Sequence, residues 1–220
     1  ECGVLLYLHT AGKPLHLPFT DKNRVGNIYC MQLEGLADVQ FQYNFYAGED
    51  IITDPYAGVI YGNERWGRQA EPRLRGGMCR HCYDWENDVP LMTPLSDTVL
   101  YLIHPRGFTC HSSSGVQHRG TYAGITEKLP YLKELGITAV ELMPSYEFLE
   151  LEKQERRERS MDEARNHYMD LPEKEDEPPR INYWGYKRGY YFAPKMSYSA
   201  SDCPAEEFKD MVKNAHQNGI

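Results

Sequence analysis

Long apolar runs are absent from this sequence, and so is an excess of positive charge. No stretch approaches the roughly 18 apolar residues that a membrane-spanning helix needs, and no signal peptide is recognised at the first residues. The 24 Lys and Arg residues face 32 Asp and Glu residues, which gives a net charge of -8. Such a surface is poorly suited to nucleic-acid phosphates. We therefore expect no membrane and no nucleic acid as partners.

Common nucleotide-binding and catalytic signatures are also missing. The sequence has no Gly-x-x-x-x-Gly-Lys-Ser/Thr loop, no Gly-x-Gly-x-x-Gly, no His-Glu-x-x-His and no Gly-x-Ser-x-Gly elbow. The only closely spaced cysteines are Cys79 and Cys82, which can form half of a zinc site with Cys110 and His111 as the remainder. Structural zinc sites usually repeat the short spacing. Ordinary thiols in loops and in the core are therefore favoured, and no metal is expected.

The first part of the chain has the pattern of β structure. Short apolar or alternating runs cover residues 3–8, 27–33 and 39–46. In the last run the positions on one face are Val39, Phe41, Tyr43 and Phe45. This period of two is typical of a half-buried strand. Because glycine and Asp or Asn residues separate the runs, the pattern predicts a small β-sandwich.

A long connection rich in Gly, Arg and Pro follows at residues 62–97. We expect Trp66 and Trp85 to anchor it against the rest of the fold. A domain boundary near its end divides the chain into residues 1–97 and residues 98–220.

The second part alternates between strands and helices. Residues 99–103 and 137–144 are almost continuously apolar, which is typical of parallel strands buried on both faces. Within the second strand, Glu141 interrupts the apolar run, so we expect it to have a buried partner such as an arginine. Consecutive strands and helices of this kind predict βα units of a parallel architecture.

Two helices are predicted in this part. The first covers residues 126–136, with Thr126 as N-cap and Pro130 in an early turn. The second begins at Pro204 as the first helical residue and ends at Gly219. Each has an apolar stripe at helical spacing.

A charged insertion separates the second strand from the second helix. Residues 147–180 contain 12 acidic and 7 basic residues. A solvated insertion without a partner is favoured over a lid or docking arm that covers a site. The end of the insertion is acidic and rich in proline.

Two features could belong to a functional site. His104 ends the first parallel strand, where barrel enzymes keep functional groups, although a structural role is favoured for a single histidine. Residues 182–194 form a loop rich in Tyr, Trp and Gly. Aromatic faces on loops stack on the C–H patches of sugars, but aromatics also anchor loops to a core, and the run alone does not separate these interpretations.

Five segments together resemble the α-amylase superfamily, and within it the branch of pullulanases, isoamylases and glycogen-debranching enzymes. The segments are Asp54-Pro55-Tyr56-Ala57, Leu102-Ile103-His104-Pro105-Arg106-Gly107-Phe108-Thr109, Gly120-Thr121-Tyr122-Ala123-Gly124-Ile125, residues 132–144 and Asn182-Tyr183-Trp184-Gly185-Tyr186. The resemblance implies an early-set, starch-binding-like β-sandwich at residues 1–97, followed by the first part of a (β/α)8 TIM barrel. It also implies an α-glucan partner such as glycogen, starch, maltodextrin or pullulan. Because intracellular turnover of glycogen or maltodextrin is favoured, the resemblance further implies a cytoplasmic location.

The same resemblance assigns the site. Tyr186 is expected to stack on the sugar at the cleaved bond, with Trp184 beside it. The catalytic carboxylates of a retaining glycosidase are expected in segments that follow residue 220, so that no catalytic residue, cofactor or metal is assigned here. We expect this chain alone to be inactive as a hydrolase. A non-catalytic glucan-binding or regulatory protein and a branching-type transferase remain alternatives.

Overall fold

The computed structural model describes residues 1–9, 11–36, 41–68, 70–78, 82–151 and 181–220. The strands are β1 (Cys2–Leu8), β2 (Leu15–Pro18), β3 (Arg24–Val25), β4 (Ile28–Tyr29), β5 (Phe41–Ala47), β6 (Asp50–Ile52), β7 (Val59–Tyr61), β8 (Arg75–Gly77), β9 (Leu100–Ile103), β10 (Ala139–Leu142), β11 (Tyr146–Phe148) and β12 (Gly189–Pro194). The α-helices are α1 (Gly107–Cys110), α2 (Tyr122–Glu134) and α3 (Pro204–Asn218).

An antiparallel sheet of six strands organises the first part of the chain. Its order is β2-β1-β5-β8-β7, and β6 also pairs with β5. The predicted alternation in β5 is confirmed, because the Tyr43 ring contacts both Phe41 and Phe45 on one face while Asn44 is buried on the other. Val39 lies outside the described residues.

The predicted strand over residues 27–33 shortens to β4, which pairs only with β3 in a small hairpin. Among the described residues of the first part of the chain, this hairpin is the only sheet besides the six-stranded one. The β-sandwich, with its second layer, therefore stays a prediction.

A parallel βαβ unit begins the second part, as predicted. Strand β9 pairs in parallel with β10, and α2 connects them. Helix α2 begins earlier than expected, because the hydroxyl oxygen of Thr121 accepts the Gly124 amide (3.1 Å) and so caps the helix. Thr126 as N-cap is therefore wrong: it lies inside α2 and its hydroxyl donates to the Tyr122 carbonyl (3.2 Å). Pro130 lies in the helix interior rather than in an early turn.

The parallel strands are less buried than predicted. Leu100 and Leu102 are 57% and 48% exposed, and only Ile103 of β9 is buried. The reason is that the parallel sheet has two strands among the described residues, so that β9 has little cover. Glu141 is exposed as well, so the prediction that it has a buried partner such as an arginine is wrong.

Helix α3 has the predicted ends and packs against α2. Pro204 is its first residue, Gly219 follows it with a positive φ of 80°, and Met211 on its apolar stripe is buried. The connection before β9 also lies against α3, because Lys213 pairs with Glu86 (3.1 Å). These contacts cross residue 97, and the domain boundary there stays a prediction.

The first residues of the charged insertion are not solvated. Glu147 and Glu150 are fully buried, and both carboxylates contact the Lys195 ammonium, at 2.9 and 2.7 Å. The Phe148 carbonyl accepts a third hydrogen bond from the same ammonium (2.7 Å). The prediction of a solvated insertion is therefore wrong at its start, and residues 152–180 lie outside the described residues.

Candidate functional site

Residues 182–186 form a tight loop whose backbone is fixed by local hydrogen bonds. The Asn182 amide donates to the Glu150 carbonyl (2.7 Å), and Asn182 Oδ1 accepts the Gly185 amide (3.2 Å). Gly185 has a φ of 75°, and a Cβ at this position would overlap the Phe148 ring. Only glycine fits such a conformation without strain. The turn therefore determines where the side chains on either side of Gly185 project.

Trp184 and Tyr186, the two predicted substrate-binding residues, both face solvent from this loop. Their side chains are 55% and 69% exposed. The prediction of one loop over residues 182–194 is wrong in its second half, because β12 pairs with β11 there. The aromatic run is therefore a short loop followed by a strand.

His104 lies directly after β9, and its side chain forms a hydrogen bond with the backbone of the aromatic loop. Its Nδ1 accepts the Gly107 amide (2.9 Å), which leaves the proton of the neutral ring on Nε2, and Nε2 donates to the Tyr183 carbonyl (2.8 Å). The Tyr183 ring stacks on the imidazole at 4.3 Å between centroids, and the Trp184 ring meets it edge-on at 6.0 Å. The geometry supports the structural role favoured for His104, and that role is to position the aromatic loop.

An aromatic cluster supports the loop from the protein interior. The Trp66 ring stacks on Tyr198 (5.5 Å) and meets the edges of Tyr183 (5.9 Å) and His104 (6.3 Å). The Arg106 guanidinium lies over the same indole, 5.3 Å from its centroid. Trp66 thus anchors its connection as predicted, and it joins that connection to the loop. Sequence reasoning missed the contribution of Tyr183, whose position beside Trp184 was the available signal.

Protonation of His104 is unfavourable in this environment. Burial lowers the pKa of its imidazole, and the positive charge of Arg106 acts in the same direction, against the hydrogen bonds to backbone groups. A proton on Nδ1 would also face the Gly107 amide. The site therefore requires the neutral ring.

A pH dependence follows for the stability of the fold. A histidine whose pKa falls on folding stabilises the native state fully above its unfolded pKa of about 6.5, and that stability is lost as the pH drops below this value. We expect the difference in unfolding free energy between the unmodified chain and His104→Gln to shrink between about pH 7.5 and about pH 5. Urea denaturation at both pH values measures it, with the exposed His111→Gln as control. A difference in unfolding free energy that does not change with pH would contradict the lowered pKa of His104 in the folded chain.

Possible metal ligands do not cluster in the described part of the chain. No group of three or more His, Cys, Asp or Glu residues within the described ranges could hold a metal ion. The alternative zinc site lies partly outside these ranges, because Cys79 is not described, while Cys82 and Cys110 are exposed. The described helices also include none with the length and apolar character of a membrane span.

A comparison with protein families decides the identity of the second part. Residues 102–220, more than half of the chain, match the family model described as the catalytic domain of alpha amylase. The chain belongs to the α-amylase family. The matched range contains the end of β9, the helix α2, β10 and the aromatic loop. Trp184, Tyr186 and His104 therefore lie within the matched catalytic domain, whereas Trp66 comes from the connection before it.

Relatives of this α-amylase-family chain carry debranching names. Chloroplastic isoamylase 1 of Oryza sativa is 36% identical over 90% of this chain and 25% of its own length. A glycogen debranching enzyme of Dickeya chrysanthemi is 40% identical over 63% of this chain and 18% of its own length. The chain thus spans about a quarter of the length of the curated relatives it matches. The predicted resemblance to the debranching branch is confirmed.

Solved structures of pullulanases share the fold. A mutant pullulanase of Paenibacillus barengoltzii complexed with maltotriose is 26% identical, with a TM-score of 0.69 over all of this chain and 33% of its own. A type I pullulanase of Bacillus subtilis complexed with maltose has the same TM-score at 22% identity and 29% of its own length. This similarity agrees with an α-amylase-type domain in the second part of the chain. The roles of Trp184 and Tyr186 stay predictions.

Proposed function

We propose that this chain is the N-terminal part of a glycoside hydrolase that removes branches from α-glucans such as glycogen, starch or pullulan. The observation that carries the proposal is the exposed pair Trp184 and Tyr186, held on a rigid loop of an α-amylase-family domain. The relatives named isoamylase and glycogen debranching enzyme, and the neighbours complexed with maltose and maltotriose, support the substrate class.

The proposed role of the loop is sugar stacking. A pyranose ring has C–H patches that pack on the π-face of an aromatic side chain, and a ring fixed before binding loses little conformational freedom. The hydrogen bond from His104 to the Tyr183 carbonyl supplies that rigidity. Tyr186 is proposed as the stacking residue, with Trp184 as its neighbour.

The finer architecture belongs to the same proposal. Residues 1–97 would be a starch-binding-like β-sandwich, and residues 98–220 the first two βα units of a (β/α)8 barrel. The exposed apolar side chains of β9 support this assignment, because barrel strands are normally covered on both faces. The retaining mechanism would use carboxylates outside these residues, since Glu147 and Glu150 are fully buried against Lys195 and cannot reach a sugar.

A substitution tests the proposed site. Tyr186→Ala should weaken maltoheptaose binding roughly tenfold, because a lost aromatic contact costs about 1–1.5 kcal/mol. Calorimetric titration measures the affinity. The matched control is Tyr131→Ala, which removes a similarly exposed tyrosine from α2. Equal losses in both variants would contradict the stacking role.

The reaction is tested on the protein expressed from its native reading frame. Release of reducing ends from pullulan or glycogen supports a debranching hydrolase. A change of linkage without new reducing ends would instead identify a branching transferase, and glucan binding without either change would identify a binding protein.

A further inference from the structure

Two strongly exposed aromatic rings meet on another part of the surface. Tyr56 is 74% exposed and Phe192 is 61% exposed, yet their ring centroids lie only 5.2 Å apart, with 34° between the ring planes. Tyr56 comes from the turn before β7, and Phe192 from the middle of β12. Large exposed rings that meet each other contribute little to the core, and exposed apolar patches often mark binding surfaces.

The pairing between β11 and β12 is irregular next to Phe192. Along the β11–β12 pair, Tyr146 lies opposite Pro194 and Glu147 lies opposite Tyr190. Residues 191–193 therefore have no register partner on β11, and the strand register shifts there, as it does at a β-bulge. Bulges change the direction in which side chains point and recur beside functional sites.

The turn that carries Tyr56 is fixed by a carboxylate. Asp54 Oδ1 accepts the Tyr56 amide (2.9 Å), while its Oδ2 accepts the hydroxyl of Tyr43 (2.6 Å). Pro55 limits the backbone further, and Ala57 is buried. The sequence Asp54-Pro55-Tyr56-Ala57 thus holds its backbone in place, with the tyrosine ring exposed to solvent.

The size of this surface decides between two kinds of partner. Two aromatic side chains offer at most about 300–500 Å², whereas a stable protein interface buries about 800 Å² on each partner. A sugar ring needs only a flat apolar face with water around it. The pair is also rigidly linked to the aromatic loop, because the Tyr146 ring contacts Tyr191 (4.7 Å) and its hydroxyl donates to the Gly185 carbonyl (3.1 Å).

From these observations we propose that Tyr56 and Phe192 form a second stacking platform for an α-glucan chain, separate from Trp184 and Tyr186. The inference rests on the proposed function for the substrate class. The platform joins a turn of the first part of the chain to a strand of the second. It would hold a different stretch of a long glucan than the loop does.

Affinity electrophoresis in gels containing glycogen tests the proposal on the full chain. The double variant Tyr56→Ala/Phe192→Ala should raise the dissociation constant for glycogen about tenfold. The variant Tyr56→Trp/Phe192→Tyr keeps both aromatic rings, so its dissociation constant should stay within about twofold of the value for the unmodified chain. Tyr131→Ala is the control for loss of an exposed tyrosine. Circular dichroism and the thermal midpoint establish that all variants are folded.

Three outcomes overturn the proposal in distinguishable ways. If the double alanine variant binds normally while Tyr186→Ala binds weakly, the second platform is wrong and the proposed function stands. If the unmodified chain does not bind glycogen, the proposed function fails together with the platform. If the unmodified chain is a dimer and the double alanine variant a monomer with unchanged glycogen affinity, the rings contact a second copy of this chain instead.

Discussion

Replacing Lys195 with methionine is expected to lower the free energy of unfolding by about 3–5 kcal/mol. The Lys195 ammonium is fully buried and donates to Glu147, Glu150 and the Phe148 carbonyl within 2.9 Å. Methionine preserves most of the side-chain volume, so the loss comes from the charge rather than from a cavity. Two carboxylates would then be buried without a cation, and an unpaired buried charge is far more costly than a missing ion pair on the surface.

The surrounding groups cannot compensate for the lost ammonium. Asn63 and the Met196 amide donate to Glu147, and Ser197 donates to Glu150. However, Glu150 Oε2 already has no hydrogen-bond partner among the described residues. Burial raises the pKa of Glu147 even in the presence of Lys195. The variant should therefore retain a proton on this carboxyl up to a higher pH, and its deficit in stability should become smaller in acid.

A second lysine provides the matched control for this experiment. Lys213 pairs with Glu86, whose side chain is largely exposed, so that Lys213→Met should cost much less stability than Lys195→Met. Urea denaturation of both variants, followed by circular dichroism, compares the two costs. Equal costs would show that burial of the Lys195 cluster does not determine its energetic contribution.

The same cluster shows why one part of the fold could not be predicted from sequence. Glu147 and Glu150 begin a strongly charged segment, so that their local pattern indicates solvent. Their cation, Lys195, follows the insertion at the end of β12. A tertiary pair across an insertion leaves no periodic signal, and only the three-dimensional contact distinguishes it from surface charge.

Helix ends were predictable where the signal was local. Pro204 and Gly219 mark α3 correctly, because a proline at the first position and a left-handed glycine after the last turn are properties of the helix itself. The start of α2 differs from the prediction because two threonines could cap a helix here: Thr126 was expected to do so, whereas Thr121 does. In the structure a Cβ at Gly124 would overlap the His118 carbonyl, so this glycine permits close packing within a helix that already began at Tyr122.

The candidate site divides in the same way. Trp184 and Tyr186 were predicted from the resemblance to the α-amylase superfamily, because the aromatic run alone does not distinguish sugar stacking from anchoring of the loop. The positioning role of His104 was not predictable, because its partners Gly107 and Tyr183 come together only when the loop folds onto the end of β9. The same resemblance supplied the substrate class. The contact between Tyr56 and Phe192 could not be predicted, because the two residues are far apart in the sequence and meet only in the folded chain.

Glu207→Gln is expected to lower the free energy of unfolding by about 2–4 kcal/mol. Its carboxylate lies at the start of α2 and accepts the Ala123 amide (2.9 Å) as well as the amides of Ala200 and Ser201 (2.8 and 2.9 Å). Burial alone would raise the pKa of Glu207, but these amides and the Ser199 hydroxyl outweigh burial and hold the pKa below its usual range. The negative charge also complements the positive end of α2.

Glutamine keeps the shape of Glu207 but loses the charge and one acceptor oxygen, so that some of these backbone amides are left without a partner. Because the native pKa is lowered, the contribution of Glu207 is fully present above the unfolded pKa of about 4.3 and is lost as the pH falls through the native value. The difference between the unmodified chain and the variant should therefore be large at neutral pH and decline in acid. Glu206→Gln removes the same charge from the same helical turn without these hydrogen bonds. If both glutamine variants lose equal stability at neutral pH, the helix dipole and not the amide cluster accounts for the effect.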